Sequence, residues 1–133
     1  MAEHWFSKEP KEQLAGKTAI IMGGGSGIGK ATAELFAAAG ANLMITGVPE
    51  QICLDTAAEL REGGANAIGM LCDGTKPEQV EAMINKTIEE FGGIDILVST
   101  AGITLPRMNS IEVTEADWDK IFSVNLKANF FLC

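Results

Sequence analysis

The chain has 133 residues, of which 47% are hydrophobic, and it carries a formal net charge of −8 at pH 7. This length and apolar content predict one folded domain over residues 1–133, and the acidic balance argues against a partner such as nucleic acid or an anionic membrane. No apolar run approaches the roughly 20 residues that a membrane-spanning helix needs. The single histidine, His4, lies in a polar arm predicted over residues 1–13, so we expect no histidine-based metal site.

Cysteine usage favours a reducing compartment. The three cysteines, Cys53, Cys72 and Cys133, are widely spaced and form no Cys-x-x-Cys pair. Free thiols are the expected state of such residues. Because the first residues also lack the basic start and apolar middle of a secretory signal, we expect a cytoplasmic protein.

Apolar runs of strand length alternate along the chain with longer stretches of helical periodicity. The runs that predict strands are, in order, Thr18–Met22, Asn42–Thr46, Asn66–Leu71 and Asp95–Ser99. The first helix is predicted from Ile28, Ala31, Leu35 and Ala38, which recur at helical spacing before Gly40. The second is predicted from Ile52, Thr56 and Leu60, and the third from Val80, Ile84, Thr87 and Phe91.

One of the helix starts carries a capping signal. Thr75–Glu78 fits a capping box with Pro77 in the first turn, where its missing N–H costs nothing. Residues 114–117, Thr-Glu-Ala-Asp, open a last helix.

The predicted strands are continuous apolar runs, which is the pattern of strands buried on both faces. Strand–helix repetition with short links then predicts an α/β fold, a three-layer Rossmann-type parallel sheet with right-handed crossovers. We expect four strands in the order 3-2-1-4. In such a sheet, ligands bind at the carboxyl ends of the strands beside the point where the strand order reverses.

A glycine-rich turn occupies that point. The sequence IIMGGGSGIGK, residues 20–30, follows the first strand directly and leads into the first helix. The start of a helix presents free N–H groups and the positive end of the helix dipole, which suit a pyrophosphate. Glycines allow the tight turn and leave no side chain between the backbone and the phosphate.

The spacing Gly23-x-x-x-Gly27-x-Gly29, with Ile28 inside it, resembles the short-chain dehydrogenase/reductase family. Leu14–Lys17 before the first strand, Asp73-Gly74 after the third and the segment Gly93–Gly102 around the fourth are similar to further motifs of that family. The resemblance runs from about residue 14 to residue 133 and covers only the amino-terminal half of the family pattern.

The resemblance implies a nicotinamide dinucleotide partner and hydride transfer between NAD(P)H and a carbonyl or alcohol. Asn125 matches the asparagine of the family's catalytic site. The residues that the resemblance assigns to the cofactor are Gly23, Gly25, Ser26, Gly27, Ile28, Gly29, Gly47, Asp73, Gly74, Ser99, Thr100, Ala101 and Gly102. Because Gly47-Val48-Pro49 stands where an NAD-specific site usually has a carboxylate, we expect NADP to be favoured over NAD.

The chain departs from the family pattern in three places. Met22 replaces a threonine, and Ser99-Thr100 replace two asparagines, which removes polar contacts that hold the family's cofactor loops. Tyrosine is absent, and so is the Tyr-x-x-x-Lys region with its general acid. We therefore expect a truncated protein that binds NAD(P) but is inactive alone. Two alternatives stay open: a self-associating α/β module with a vestigial site, and weak activity with the acid supplied by another chain or by solvent.

The last predicted helix is apolar on two faces. Trp118, Phe122, Leu126 and Phe130 fall along one face, and Ile121, Val124, Ala128 and Phe131 along another. A helix of this kind is normally covered on both sides. We therefore expect a homo-oligomer, and specifically a dimer, formed through the helix from Trp118 to Leu132 and through the edge of the fourth strand.

Overall fold

The sheet has the predicted strands in the predicted order. The structure is a computed structural model that describes residues 13–106 and 109–133, so the predicted arm and His4 lie outside the described residues, except for residue 13. The strands are β1 (Thr18–Met22), β2 (Asn42–Gly47), β3 (Ala67–Leu71) and β4 (Ile96–Ser99). All neighbouring strands are parallel and their order is β3-β2-β1-β4, which confirms the predicted topology.

Helices connect the strands as predicted. They are α1 (Gly27–Ala38), α2 (Glu50–Glu62) and α3 (Pro77–Phe91), and after β4 the chain forms a 3₁₀ turn over Ser110–Glu112 and then α4 (Glu115–Phe122). A π-helical segment, Ser123–Lys127, joins α4 to α5 (Ala128–Leu132), and we call the run from 115 to 132 the terminal helix. None of the described helices is long and apolar enough to cross a membrane.

The sheet carries one apolar cluster on each face. Ile21 on β1 points to the cluster under α1 and α2, whereas Ile20 and Met22 point to the cluster under α3 and the terminal helix. The outer strands β3 and β4 are mostly half-buried, contrary to the expected burial on both faces, whereas every residue of the central strand β1 is buried. Because successive side chains of a strand point to opposite faces, this double burial produces the three-layer arrangement that the continuous apolar runs predicted.

The buried face of α1 differs from the expected one. Ile28 and Leu35 are 77% and 71% exposed, and the other two positions of the predicted stripe, Ala31 and Ala38, also face solvent. The helix instead buries Gly29 and Ala33, and Phe36 and Ala37 pack partly against the core. Both sets recur at helical spacing, so the periodicity predicted the helix but not its orientation. The closest contacts with the sheet, at Gly29 and Ala33, admit only small side chains, and this requirement overrides the hydrophobicity of Ile28 and Leu35.

The capping box expected at the start of α3 is wrong. The N-cap residue is Lys76, and no side chain caps the helix there, although Pro77 occupies the first turn as predicted. The hydroxyl and the backbone N–H of Thr75 both donate to Oδ1 of Asp73, at 2.7 and 2.9 Å. The Thr75 hydroxyl therefore bonds to the Asp73 carboxylate and does not cap the start of α3. At the start of α4, in contrast, the hydroxyl of Thr114 accepts from the N–H of Asp117, as a capping box requires.

Candidate functional site

A cavity of about 490 Å³ lies at the carboxyl ends of the strands, beside the reversal of strand order between β1 and β4. Most of the residues assigned to the cofactor from sequence line it: Gly23, Ser26, Gly27, Ile28, Gly47, Asp73, Gly74, Thr100, Ala101 and Gly102. Gly25, Gly29 and Ser99 are not part of the lining. The structure thus brings together segments that are far apart in the chain, at the edge where a parallel sheet of this kind receives its ligands.

The glycine turn after β1 is required by close approach. A Cβ atom on Gly23 would lie 2.6 Å from Oγ1 of Thr100, and one on Gly29 would overlap the carbonyl oxygen of Gly23. Gly23 also has a φ of +83°, a conformation that side chains disfavour. Glycine is required at position 25 by a different contact, because an added Cβ would lie 2.5 Å from the side chain of Ile52 on α2. These three glycines allow β1, β4, α1 and α2 to meet.

Gly27 is different from its neighbours because it faces open space. No atom lies within 4 Å of a Cβ built on it, although its φ of +52° is in the left-handed region. Gly27 is the first residue of α1, and the side chain of Ser26 makes no capping hydrogen bond there. The first N–H groups of a helix have no partner within the helix, so the start of α1 presents donors and a positive dipole end to the cavity.

Asp73 contributes a negative charge to the cavity. The hydrogen bonds from the hydroxyl and the N–H of Thr75 hold the pKa of the Asp73 carboxyl below its usual range. Cys72, which precedes it and also lines the cavity, was not assigned from sequence. Burial, reinforced by the charge of Asp73, raises the pKa of the Cys72 thiol to about 11, so the thiol is neutral at pH 7. The position of Cys72 directly after β3, at the carboxyl end of a strand, could have placed it in the cavity from sequence.

The end of β2 leaves the cavity without a carboxylate on that side. Val48 lines the cavity and is 62% exposed. Glu50, the next acidic residue, has its Oε1 3.3 Å from the N–H of Leu71, at the end of β3. Among the described residues, no group of three or more histidine, cysteine or carboxylate side chains is arranged to hold a metal ion.

Comparison with known proteins decides the family. The family model for short chain dehydrogenase matches residues 17–133. The chain belongs to the short-chain dehydrogenase family. It is 40% identical over 119 residues to the short chain dehydrogenase/reductase astE of Aspergillus oryzae, which is 89% of this chain and 46% of that protein. It is 37% identical over 122 residues to a secoisolariciresinol dehydrogenase of Forsythia intermedia, covering 91% of this chain and 43% of that one.

A solved structure supports the same assignment. A short chain dehydrogenase from Mycobacterium smegmatis superposes with a TM-score of 0.83 at 30% identity, over 90% of this chain and 49% of that chain. The chain therefore spans about half the length of the curated relatives and of the solved structure that it matches.

At the positions where this chain departs from the family pattern, the structure shows other contacts that hold the loops. Thr100 donates its N–H to the carbonyl oxygen of Met22 at 2.9 Å, and its hydroxyl lies 3.2 Å from the same oxygen. The Ser99 hydroxyl donates to Oδ1 of Asn129 on α5. The side chain of Met22 packs into the core beneath the cavity. Ser99 and Thr100, which are shorter than asparagine, thus make hydrogen bonds to Asn129 and Met22, and these partners lie outside the motif.

Asn125 lies beside the cavity rather than in its lining. Its Oδ1 accepts from the N–H of Ile103 at 2.8 Å, and its Nδ2 donates to the carbonyl oxygen of Ile103 at 2.9 Å. The two groups of the amide therefore hold the backbone of the loop after β4. Several cavity residues of the terminal helix were missed from sequence, namely Val124, Ala128, Asn129 and Leu132. No motif marks them, because they reach the site only through the packing of that helix on the sheet.

Proposed function

We propose that this chain binds a nicotinamide dinucleotide in the cavity and represents the cofactor-binding half of a short-chain dehydrogenase/reductase. The observation that carries the proposal is the start of α1, where Gly27 leaves the helix N–H groups open to the cavity. Anions bind at such a helix start because both the donors and the dipole favour negative charge. In this proposal the pyrophosphate lies on the turn at residues 23–29, and the adenine ring contacts Asp73.

The shape of the cavity supports a ligand of this class. Its volume of about 490 Å³ is within the roughly 300–1,000 Å³ of typical small-molecule sites. Gly102 and Ala101 present little side-chain bulk on the β4 side, which leaves room for ribose and nicotinamide. Hydride transfer between NAD(P)H and a carbonyl or alcohol is the chemistry that the family relationship suggests for an intact relative.

Cofactor choice is the first experiment. We expect NADPH to bind more tightly than NADH in a calorimetric titration, because Val48 offers no carboxylate and Glu50 is turned toward Leu71. An Asp at position 48 would accept from the ribose hydroxyls and repel a 2′-phosphate, so Val48→Asp should shift the preference toward NADH by about tenfold, or about 1.4 kcal/mol. Tenfold tighter binding of NADH by the parent chain would overturn the preference, and binding of neither cofactor would overturn the proposed function.

We expect the purified chain to show no measurable oxidoreductase turnover. The sequence contains no tyrosine, so the general acid of the family pattern is missing. Positioned acid–base groups contribute typically about 10²–10⁴-fold to a rate. The measurement is NADPH oxidation in the presence of simple ketones and aldehydes, with protein from a mock purification as the control. Steady cofactor-dependent turnover above that control would contradict the expectation.

Self-association is the second candidate function, and exposed apolar side chains on the terminal helix favour it. Trp118, Leu126, Phe130 and Phe131 are each more than half exposed, whereas Leu132, which was included in the expected interface, is buried in the core. Within the described residues, β4 pairs only with β1, so its other edge is unpaired. Exposed apolar surface and free strand edges are typical of interfaces. We propose a homodimer in which these features meet.

The dimer makes a separate prediction. Phe130→Asp should shift the chain from dimer toward monomer in light scattering at micromolar concentration, since burial of one such side chain contributes about 1.5–3 kcal/mol. Leu35→Asp is the matched control, because Leu35 is equally exposed but lies on α1. A well-folded parent monomer would contradict the dimer, and so would equal shifts in the two variants.

A cytoplasmic location completes the proposal. Cys53 and Cys72 are buried free thiols, and Cys133 is an exposed one. Persistent free thiols are typical of reducing compartments.

A further inference from the structure

Asn129 joins two elements that meet at the cavity. Its Oδ1 accepts a hydrogen bond from the Ser99 hydroxyl at the end of β4, and its Nδ2 donates to the carbonyl oxygen of Asn125 at 2.9 Å. Asn129 is half-buried in the cavity lining. One amide thus ties the last residue of a strand to the π-helical segment, where Ala128 bonds back to Ser123 and the helix ladder is locally widened.

The loop after β4 is held by the terminal helix at both ends. At its start, Ser99 is bonded to Asn129, and at its end the backbone of Ile103 is bonded to the side chain of Asn125. Between these points the loop residues 100–103 form one side of the cavity. Because Asn129 also bonds to the backbone of Asn125, the two attachments belong to one connected set of hydrogen bonds.

We propose that Asn129 is a positioning residue that, together with Ser99, fixes loop 100–103 in a conformation ready for ligand. The loop then needs little ordering when a ligand enters, and a preorganised site binds more tightly than one that must be ordered. This inference rests on the proposed function where it concerns dinucleotide affinity. The effect on the loop itself belongs to the ligand-free protein and is measured without a cofactor.

The chemistry of the amide defines the variants. Asn129→Asp keeps the acceptor for Ser99 but loses the donor to Asn125, and it sets a carboxylate against a carbonyl oxygen. Asn129→Leu removes both hydrogen bonds at similar volume. Ser99→Ala removes the hydroxyl, and Ser99→Thr restores it, so Thr is the conservative rescue. Asn85→Leu removes an exposed amide from α3 and serves as the matched control.

The first test is amide hydrogen exchange in the ligand-free chain. We expect a peptide covering residues 99–106 to exchange about tenfold faster in Asn129→Leu and in Ser99→Ala, about 1.4 kcal/mol of local opening, while peptides from α1 and β2 keep the parent rates. Ser99→Thr and Asn85→Leu should match the parent. Unchanged exchange in the loop would overturn the proposal, and so would equal acceleration throughout the chain, because that result indicates general destabilisation.

The second test is a double-mutant cycle on NADPH affinity measured by calorimetry. Each single change should weaken binding about tenfold, and the double variant should bind no more weakly than either single variant, since both remove the same contact. Losses that simply add would contradict the coupling between Ser99 and Asn129. A parent chain that binds no dinucleotide would refute the proposed function, and the exchange experiment would still decide the positioning role.

Discussion

Replacement of Gly27 by valine should weaken NADPH binding by about a hundredfold or more, about 2.8 kcal/mol, while the far-ultraviolet circular dichroism stays close to that of the parent. Gly27 faces open space at the start of α1, and a Cβ atom added to it has no protein atom within 4 Å. The valine side chain would instead occupy the region in front of the helix N–H groups where we propose that the pyrophosphate lies. The loss is therefore expected in the binding reaction and only weakly in the fold.

The backbone conformation of Gly27 requires a control. A valine at a φ of +52° is strained by about 1–2 kcal/mol whatever lies around it. Gly16→Val carries similar strain, because Gly16 has a φ of +76° and also has no atom within 4 Å of an added Cβ, but it precedes β1 and lies at the other end of that strand. Gly16→Val should lower the free energy of unfolding to a similar extent and retain NADPH affinity. Parental affinity in Gly27→Val would refute the phosphate assignment.

Gly29→Ala, unlike Gly27→Val, should mainly lower the free energy of unfolding. Its methyl group would overlap the carbonyl oxygen of Gly23 and lie 2.7 Å from Oγ1 of Thr100, so α1 must move away from β1. Alanine gains about 1 kcal/mol of helix propensity over glycine, whereas overpacking a rigid contact costs up to about 3 kcal/mol. We expect a net loss of about 2 kcal/mol in urea denaturation, a large share of a total that is typically about 5–15 kcal/mol.

Gly93→Ala provides the comparison for that experiment. An added Cβ on Gly93 meets no atom within 4 Å, and the residue does not have a left-handed φ. Its free energy of unfolding should stay within about 0.5 kcal/mol of the parent, as for ordinary surface substitutions. If Gly29→Ala were as stable as Gly93→Ala, the close contact between α1 and β1 would not constrain the fold.

The strands and the glycine turn could be predicted because their signals are local. Thr18–Met22 is a continuous apolar run bounded by glycines, and the spacing of Gly23, Gly27 and Gly29 follows from the tight entry into α1. The orientation of α1 was not predictable from hydrophobicity, because the contact with the sheet selects Gly29 and Ala33 for their small size. Periodicity contains no information about how closely two elements approach.

The contacts of the site were harder to predict than its location. Thr75 matched a capping pattern, but Asp73 is close enough to accept its hydrogen bonds. In the sequence, Ser99 indicated only that an asparagine side chain of the family pattern is missing. In the structure, its hydroxyl donates a hydrogen bond to Asn129, thirty positions along the chain. Such pairings depend on which helix packs over the end of β4. A single sequence does not specify that arrangement at the level of individual hydrogen bonds.

The small residues on the inner face of α1 also contribute to the electrostatics of the cavity, because they set the position of the helix. The helix dipole acts as roughly half a positive charge at the first turn, and its influence falls off within about one turn. Gly29 and Ala33 let α1 lie close against the sheet, which keeps that partial charge beside the cavity, whose lining includes Gly27. Larger side chains on this face would move α1 away from the sheet, and the positive end of its dipole would then lie farther from the cavity. Close packing of α1 in the core of this protein therefore also serves the proposed binding of an anionic ligand.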